Sequence, residues 1–312
     1  LATGKNDPVL FNNRGKAKVN LQDVKGALPD FDKALELKPD YDKALENRAE
    51  ARYKLQDWKG AIADFEKITS GGRSDAELFQ KIGTAKFNFN DTKGCSEALN
   101  KVVSKGVKDK EVFRMLGLSL AKDADYNGAS TALSAAVALG SSEKEVFEQL
   151  GTSQFLTKDY KGAVESLSRA VNAGINAKEV FLYKGIAEYQ TQDLEKALVD
   201  LEKAVSMGVS NEQAFKNLGD IKFGKNDFAG AIKYYDKAIA LSANDPVVFN
   251  NRGKAKMSMG DAQGSLPDYD KAIALKGDYF KAISNRGSAR FSLANYSGAV
   301  EDLDLVRQRE GE

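Results

Sequence analysis

The segment KEVFRMLGLSLAK (Lys110–Lys122), followed by DADYNGASTALSAAVALG (Asp123–Gly140), decides the fold. In its first half Val112, Phe113, Leu116, Gly117 and Leu120 recur at helical spacing and give one apolar face. Lys122 to Asp125 form a polar break, and Asp125 is placed to cap a second helix. That helix carries Ala129, Leu133, Ala136 and Val137 at i, i+4, i+7 and i+8, a second apolar stripe. The unit Lys110–Glu143 therefore reads as a helical hairpin of 34 residues. One hairpin cannot bury both stripes alone, so it requires neighbours.

The neighbours are in the sequence. Gly15, Gly83, Gly117, Gly151, Gly185, Gly219, Gly253 and Gly287 lie on one lattice of spacing 34, and Ala49 fills its vacant node. Asp23, Asp57, Asp91, Asp125, Asp159, Asp193, Asp227 and Asp261 form a second lattice, completed by Asn295. A third holds small residues from Ala27 and Ala61 through Cys95 to Ala299. The glycine and alanine columns predict a close crossing, small residue facing small residue. Gly72, Gly106, Gly140, Gly174 and Gly208 recur where second helices end and predict left-handed caps.

Composition narrows the function. Lys and Arg number 46 against 45 Asp and Glu, so no global field exists to hold a polyanion, and no nucleic-acid partner is expected. There is no histidine and one cysteine, which removes histidine-based catalysis, zinc fingers and internal disulfides. The carboxylates follow the helical repeat instead of converging on a cleft, so neither catalytic nor metal- or cofactor-binding residues are expected. No apolar run is long enough to span a bilayer. The chain reads as soluble, with the choice between cytoplasm and periplasm left open. A first residue other than Met suggests a processed protein or a cloned piece.

These columns resemble the tetratricopeptide repeat (TPR). Phe147-Leu150-Gly151-Phe155 and Phe215-Leu218-Gly219-Phe223 are similar to the family's first helix, and Ala231-Tyr235-Ala238 and Ala27-Phe31-Ala34 to its second. The family's closing proline stands only at Pro39. The resemblance covers residues 8–312 as nine repeats, beginning at Pro8, Asp42, Ala76, Lys110, Lys144, Lys178, Glu212, Pro246 and Phe280, after a lead-in at 1–7. It implies an all-α, right-handed superhelical solenoid forming one domain. Units such as Asn-Arg-Gly-Lys-Ala-Lys look bacterial in style.

In this family first helices line a concave groove, and the resemblance makes that groove the binding surface for a peptide or helix of a partner protein. It would be polar at its ends, at Asn12, Asn13, Lys16, Asn250, Asn251, Lys254 and Asn285. It would be apolar in the middle, at Met115, Leu118, Phe155, Leu156, Leu182, Tyr183, Ile186 and Tyr189. Glu77, Glu111, Glu145 and Glu179 make an acidic ladder beside that strip. Some relatives hold a chaperone tail's terminal carboxylate through lysines, asparagines and an arginine. Lys216, Asn251 and Lys281 match that pattern, whereas Asp220 and Asn285 stand where Asn and Arg are wanted. Asp220 would repel a carboxylate.

The expected function is thus a non-catalytic protein–protein interaction scaffold. The alternatives are a self-assembling structural protein and the recognition arm of a larger one. Two further patterns bear on this. Asn6–Tyr41 and Asn244–Tyr279 are identical at 24 of 36 positions, through duplication of an end module or because both ends present the same surface. Both copies carry a proline in the second helix, Pro29 and Pro267, expected to delete a hydrogen bond and bend it. Cys95, in the small-residue column, reads as a buried packing atom.

Overall fold

The computed structural model describes residues 7–310, with side chains through 308. Among these residues there are eighteen α-helices and no strand. The first helices are α1 (Pro8–Asn20), α3 (Asp42–Lys54), α5 (Ala76–Asn88), α7 (Lys110–Lys122), α9 (Lys144–Leu156), α11 (Lys178–Gln190), α13 (Glu212–Gly224), α15 (Pro246–Ser258) and α17 (Phe280–Ser292). The second helices are α2 (Val24–Leu37), α4 (Trp58–Ser70), α6 (Thr92–Ser104), α8 (Tyr126–Ala138), α10 (Tyr160–Asn172), α12 (Leu194–Ser206), α14 (Phe228–Leu241), α16 (Ala262–Leu275) and α18 (Tyr296–Glu310). The chain divides into two compact units, Leu1–Lys158 and Asp159–Glu312. In the first, α1 pairs with α2, α3 with α4, α5 with α6 and α7 with α8, and α9 packs on α8. In the second, α10 packs on α11, and α11 with α12 through α17 with α18 form four more hairpins. No described helix is long and apolar enough to cross a membrane.

The aspartate column makes the turns. Asp125 Oδ1 accepts the Gly128 N–H at 2.9 Å, and its own N–H donates to the Leu120 carbonyl at the same distance. One residue thereby satisfies orphan groups of the helix that ends and the helix that begins. Asp23, Asp57, Asp91 and Asp227 cap their helices in the same way. Closing the turn puts the preceding residue in the left-handed region: Gln22, Gln56, Asn90, Ala124, Lys158, Gln192, Asn226 and Ala294 have φ between +59° and +67°. Such a conformation costs a side-chain-bearing residue about 1 kcal/mol. This column carries no residue-type signal and escaped the sequence reading. The glycine caps at Gly72, Gly106, Gly140, Gly174 and Gly208 are left-handed as expected, with φ from +82° to +102°.

The nearest neighbours of the glycines across the crossing are large side chains. A Cβ added to Gly83 would lie 2.3 Å from Leu99 Cδ2, and one on Gly219 would lie 2.5 Å from Tyr235 Cε1. Gly15 meets Phe31, Gly117 meets Leu133, Gly185 meets Leu201 and Gly253 meets Tyr269. Each glycine is a socket for the large side chain sixteen residues on, and these knobs are 0–1% exposed. The alanines are buried beside them, as is Cys95, whose thiol burial pushes up to about 11. Neither proline ends its helix: α2 runs on to Leu37 and α16 to Leu275. Both prolines are exposed, while the residues after them (Asp30 and Phe31, Asp268 and Tyr269) are buried and hold the next turn in place.

A second layer beside each socket comes in two chemical forms. Asp64 is 4% exposed and lies 2.7 Å from both Arg48 and Arg52. Asp302 is held likewise by Arg286 and Arg290, Asp268 by Arg252 and Lys256, and Asp30 by Arg14 and Lys18. Where the first helix instead carries Ile82 or Leu116, the second carries Ala98 or Ala132. Buried ion pairs are close to neutral against a packed apolar pair, but removing one partner strands the other. Asp64→Ala is therefore expected to cost about 3 kcal/mol. Arg48→Ile added to Asp64→Ala recreates the Ile82–Ala98 arrangement, with Arg52 left to Asp57 at 3.6 Å as Lys86 is to Asp91 at 3.8 Å, and should recover most of it. Urea denaturation of the parent and the two variants measures this, and a double variant no more stable than the single one would refute the exchange.

Candidate functional site

Within each unit, first helices approach one another. α5 neighbours α7 and α7 neighbours α9; in the second unit α11 meets α13, α13 meets α15 and α15 meets α17. No second helix comes as close to the next second helix among the described residues. The first helices therefore line the inner face of each unit, where the sequence placed the binding residues.

Three residues expected in the apolar middle of that face are buried. Met115 on α7 is 5% exposed and packs with Leu99, Leu116 and Ala132. Leu182 and Ile186 on α11 are 9% and 7% exposed. Neighbouring first helices approach along this face, and long apolar side chains are taken into the packing there. Leu118 is half-buried against the cluster of Leu133, Val146 and Leu150. Phe155 and Tyr183 are half-buried, and Leu156 is exposed. The acidic ladder lies in the first turns of α5, α7, α9 and α11, where a carboxylate complements the helix dipole.

Two acids of the first helices are engaged inside the protein: the half-buried Asp220, noted in the sequence, and the buried Glu188, which was not. Asp220 on α13 accepts hydrogen bonds from Tyr189 Oη at 3.0 Å, Tyr235 Oη at 2.7 Å and Asn251 Nδ2 at 3.0 Å. One carboxylate ties α11, α13, α14 and α15 together, and burial followed by that charge raises both tyrosines' pKa. Lys216 Nζ lies 2.6 Å from Asp245 Oδ2, the residue whose other oxygen caps α15. Asp220 and Lys216 are thus engaged within the protein, and the carboxylate-gripping arrangement implied by the resemblance is not assembled.

The second acid is Glu188 on α11, fully buried, with Oε1 at 2.6 Å from Lys184 Nζ and Oε2 without a hydrogen-bond partner. Lys184 also pairs with Asp200.

The polar ends behave differently. Asn250, Asn251, Lys254, Lys281 and Asn285, drawn from α15 and α17, line one cleft of about 650 Å³. Asn285 Nδ2 donates to Asn250 Oδ1 at 2.8 Å, and Asn250 Nδ2 to Asn251 Oδ1 at 3.1 Å. This chain of amides fixes which donors and acceptors face the cleft. Lys254 and Lys281 are exposed at its wall, Tyr279 and Phe280 supply apolar surface, and among the described residues no acidic side chain lines it. In the first unit Asn12, Asn13 and Lys16 line a cleft of about 510 Å³ with residues from α3. Asn12 is 4% exposed and accepts from Asn47 Nδ2 at 2.8 Å.

Stacked helical hairpins with an inner face of amides and amines define a helical-repeat protein. Family models agree: one described as tetratricopeptide repeat matches residues 12–76 and 114–179, and one described as TPR repeat matches 219–260. The chain belongs to the tetratricopeptide-repeat family, and its fold class is the all-α solenoid of that family. Among solved structures, YrrB, described as a TPR protein with an unusual peptide-binding site, is 20% identical, with 60% of this chain and 97% of that chain covered and a TM-score of 0.50. A crystal structure of MamA is 23% identical over 52% of this chain and 95% of that one, with a TM-score of 0.47. MamA 41-end from Desulfovibrio magneticus RS-1 is 16% identical over 54% and 94%, with a TM-score of 0.48. These likenesses concern the fold alone. No curated protein matches the chain.

The burial of Glu188 has a measurable consequence. Removal from water, the largest influence, pushes its carboxyl up to about 7 from 4.5, against the pull of Lys184 and with a push from Asp200. The folded state then binds more protons than the unfolded state between those two pH values, so stability falls as pH rises through that window. Glu188→Gln should abolish this fall. Its stability relative to the parent is expected to rise by up to about 3 kcal/mol from pH 4 to pH 8. Parallel pH profiles for parent and variant in urea denaturation would rule the linkage out.

Proposed function

We propose that the chain is a non-catalytic interaction scaffold whose α15–α17 cleft binds an extended, acidic peptide segment of a partner protein. The convergence of Asn250, Asn251, Lys254, Lys281 and Asn285 on one cleft carries this reading. An asparagine side chain offers a donor and an acceptor, which is what a peptide unit on a bound backbone requires. The two lysines add positive charge to a wall whose described residues include no carboxylate, which favours an acidic ligand and steers its approach. Several modest contacts in register, rather than one deep pocket, then supply affinity.

Random dodecapeptides displayed on phage and selected on the chain should enrich Asp and Glu. The best of them should bind Lys281→Ala with Lys254→Ala at least tenfold more weakly than the parent. Enrichment without acidic residues, or undiminished binding by the double variant, would sink the assignment.

Self-association is the second reading, favoured by one observation. Phe291, Tyr296 and Val300 on α17 and α18 are each 58–62% exposed, an apolar surface on paired helices. Sedimentation across a concentration series decides it: a mass that stays at 33.9 kDa excludes self-association.

A further inference from the structure

We infer that the chain is bivalent: the α1–α3 cleft is a second binding site for the same acidic peptide motif, so that one chain engages two copies of it. This rests on the reading of the α15–α17 cleft given above.

The two clefts are one structure used twice. An offset of 238 residues, seven periods of 34, carries Asn12, Asn13, Lys16, Lys43 and Asn47 onto Asn250, Asn251, Lys254, Lys281 and Asn285 of the second cleft without a change of residue type. Val9 and Tyr41 likewise become Val247 and Tyr279. The internal geometry repeats as well. Asn47 Nδ2 to Asn12 Oδ1 and Asn285 Nδ2 to Asn250 Oδ1 are both 2.8 Å, across the same pair of neighbouring first helices. Asn12 and Asn250 are both buried, at 4% and 3% exposure, whereas all four lysines are exposed.

Periodicity alone does not produce this. Two periods after the first cleft the corresponding positions hold Gln80, Thr84, Glu111 and Met115, which reverse a charge and replace an amide with a buried thioether. The repeat lattice constrains glycines, caps and knobs. It does not constrain exposed lysines on the inner face, so their joint recurrence with both amides marks a shared ligand chemistry. Three lining positions differ. Phe280 and Val306 line only the second cleft, the first unit having Asp42 and Ile68 at those positions. Glu46 stands where the second cleft has Ser284, and it lies 2.6 Å from Arg73. The added carboxylate makes the first cleft the weaker of the two for an acidic ligand.

The test uses the whole chain and a capped hexaglutamate (N-acetyl, C-amide) as probe, titrated by calorimetry at low salt. The parent should bind two equivalents, the tighter site by a few-fold being the α15–α17 cleft. Lys16→Glu with Lys43→Glu should leave one equivalent at the tighter affinity. Lys254→Glu with Lys281→Glu should leave one at the weaker. A control pair on second helices, Lys59→Glu with Lys233→Glu, should leave both; circular dichroism checks folding throughout. One equivalent in the parent, lost only with Lys254 and Lys281, overturns bivalency and leaves the proposed function standing. No binding by the parent, or equal losses in every variant including the control, overturns both.

Discussion

The packing of this protein depends on a missing atom. At Gly83, Gly117, Gly185, Gly219 and Gly253 the first helix has no Cβ, and the second helix seats a Leu or Tyr side chain against the bare backbone. Added Cβ atoms there would sit 2.3–2.8 Å from that side chain, well inside van der Waals contact. The hairpin angle, and with it the depth at which the next hairpin stacks, follows from this approach. The αL turn and the aspartate cap then close the hairpin at a fixed length, so that each knob arrives opposite its own socket.

Once the socket is set, the layer beside it is free to vary in chemistry but not in pairing. Arg48 goes with Asp64, Arg252 with Asp268 and Arg286 with Asp302, whereas Leu116 goes with Ala132. A buried carboxylate without its cation is strongly unfavourable, and a cation without its carboxylate is little better, so the two positions exchange together. The ionic form adds reach: Arg48 also contacts Asp32 at 2.8 Å, Arg252 contacts Asp236 at 2.7 Å and Arg286 contacts Asp270 at 2.6 Å, each on the preceding second helix. Apolar pairs hold a hairpin, whereas these ionic ones also bind it to its neighbour. The hairpins richest in such links are those at the two ends, which also carry the amide clefts.

The fold was legible because its constraints fall on residue types. Asp125 had to cap and Gly140 had to take a left-handed φ, and both do so. The turn residues such as Ala124 and Gln192 were illegible because tertiary geometry imposes their φ of +61° and +67° without selecting a side chain. The partner of each glycine was misjudged for a related reason. Periodicity shows that two columns recur, but not which of several buried columns on α8 or α14 points at the gap. In the candidate site the same limit separates polar from apolar residues. An exposed lysine or amide on an inner face stays where its sequence position puts it, as Lys254 and Asn251 do. Met115, Leu182 and Ile186 occupy equivalent positions, but water is not a competitor for them, and the packing of first helices takes them in.

That difference also supports the proposed ligand surface. An inner face on which Met115, Leu182 and Ile186 are buried offers less area for the hydrophobic face of a partner helix. At the proposed cleft the accessible polar groups are already ordered, with amides held by one another and Lys254 standing 5.2 Å above the Phe223 ring. Pre-ordered amides lose little freedom when a ligand arrives, which compensates for the small apolar area. They also suit a strand-like backbone better than a helix, because a helix has already satisfied its peptide groups internally. The burial of Met115, Leu182 and Ile186 therefore supports the proposed extended ligand over a helical one.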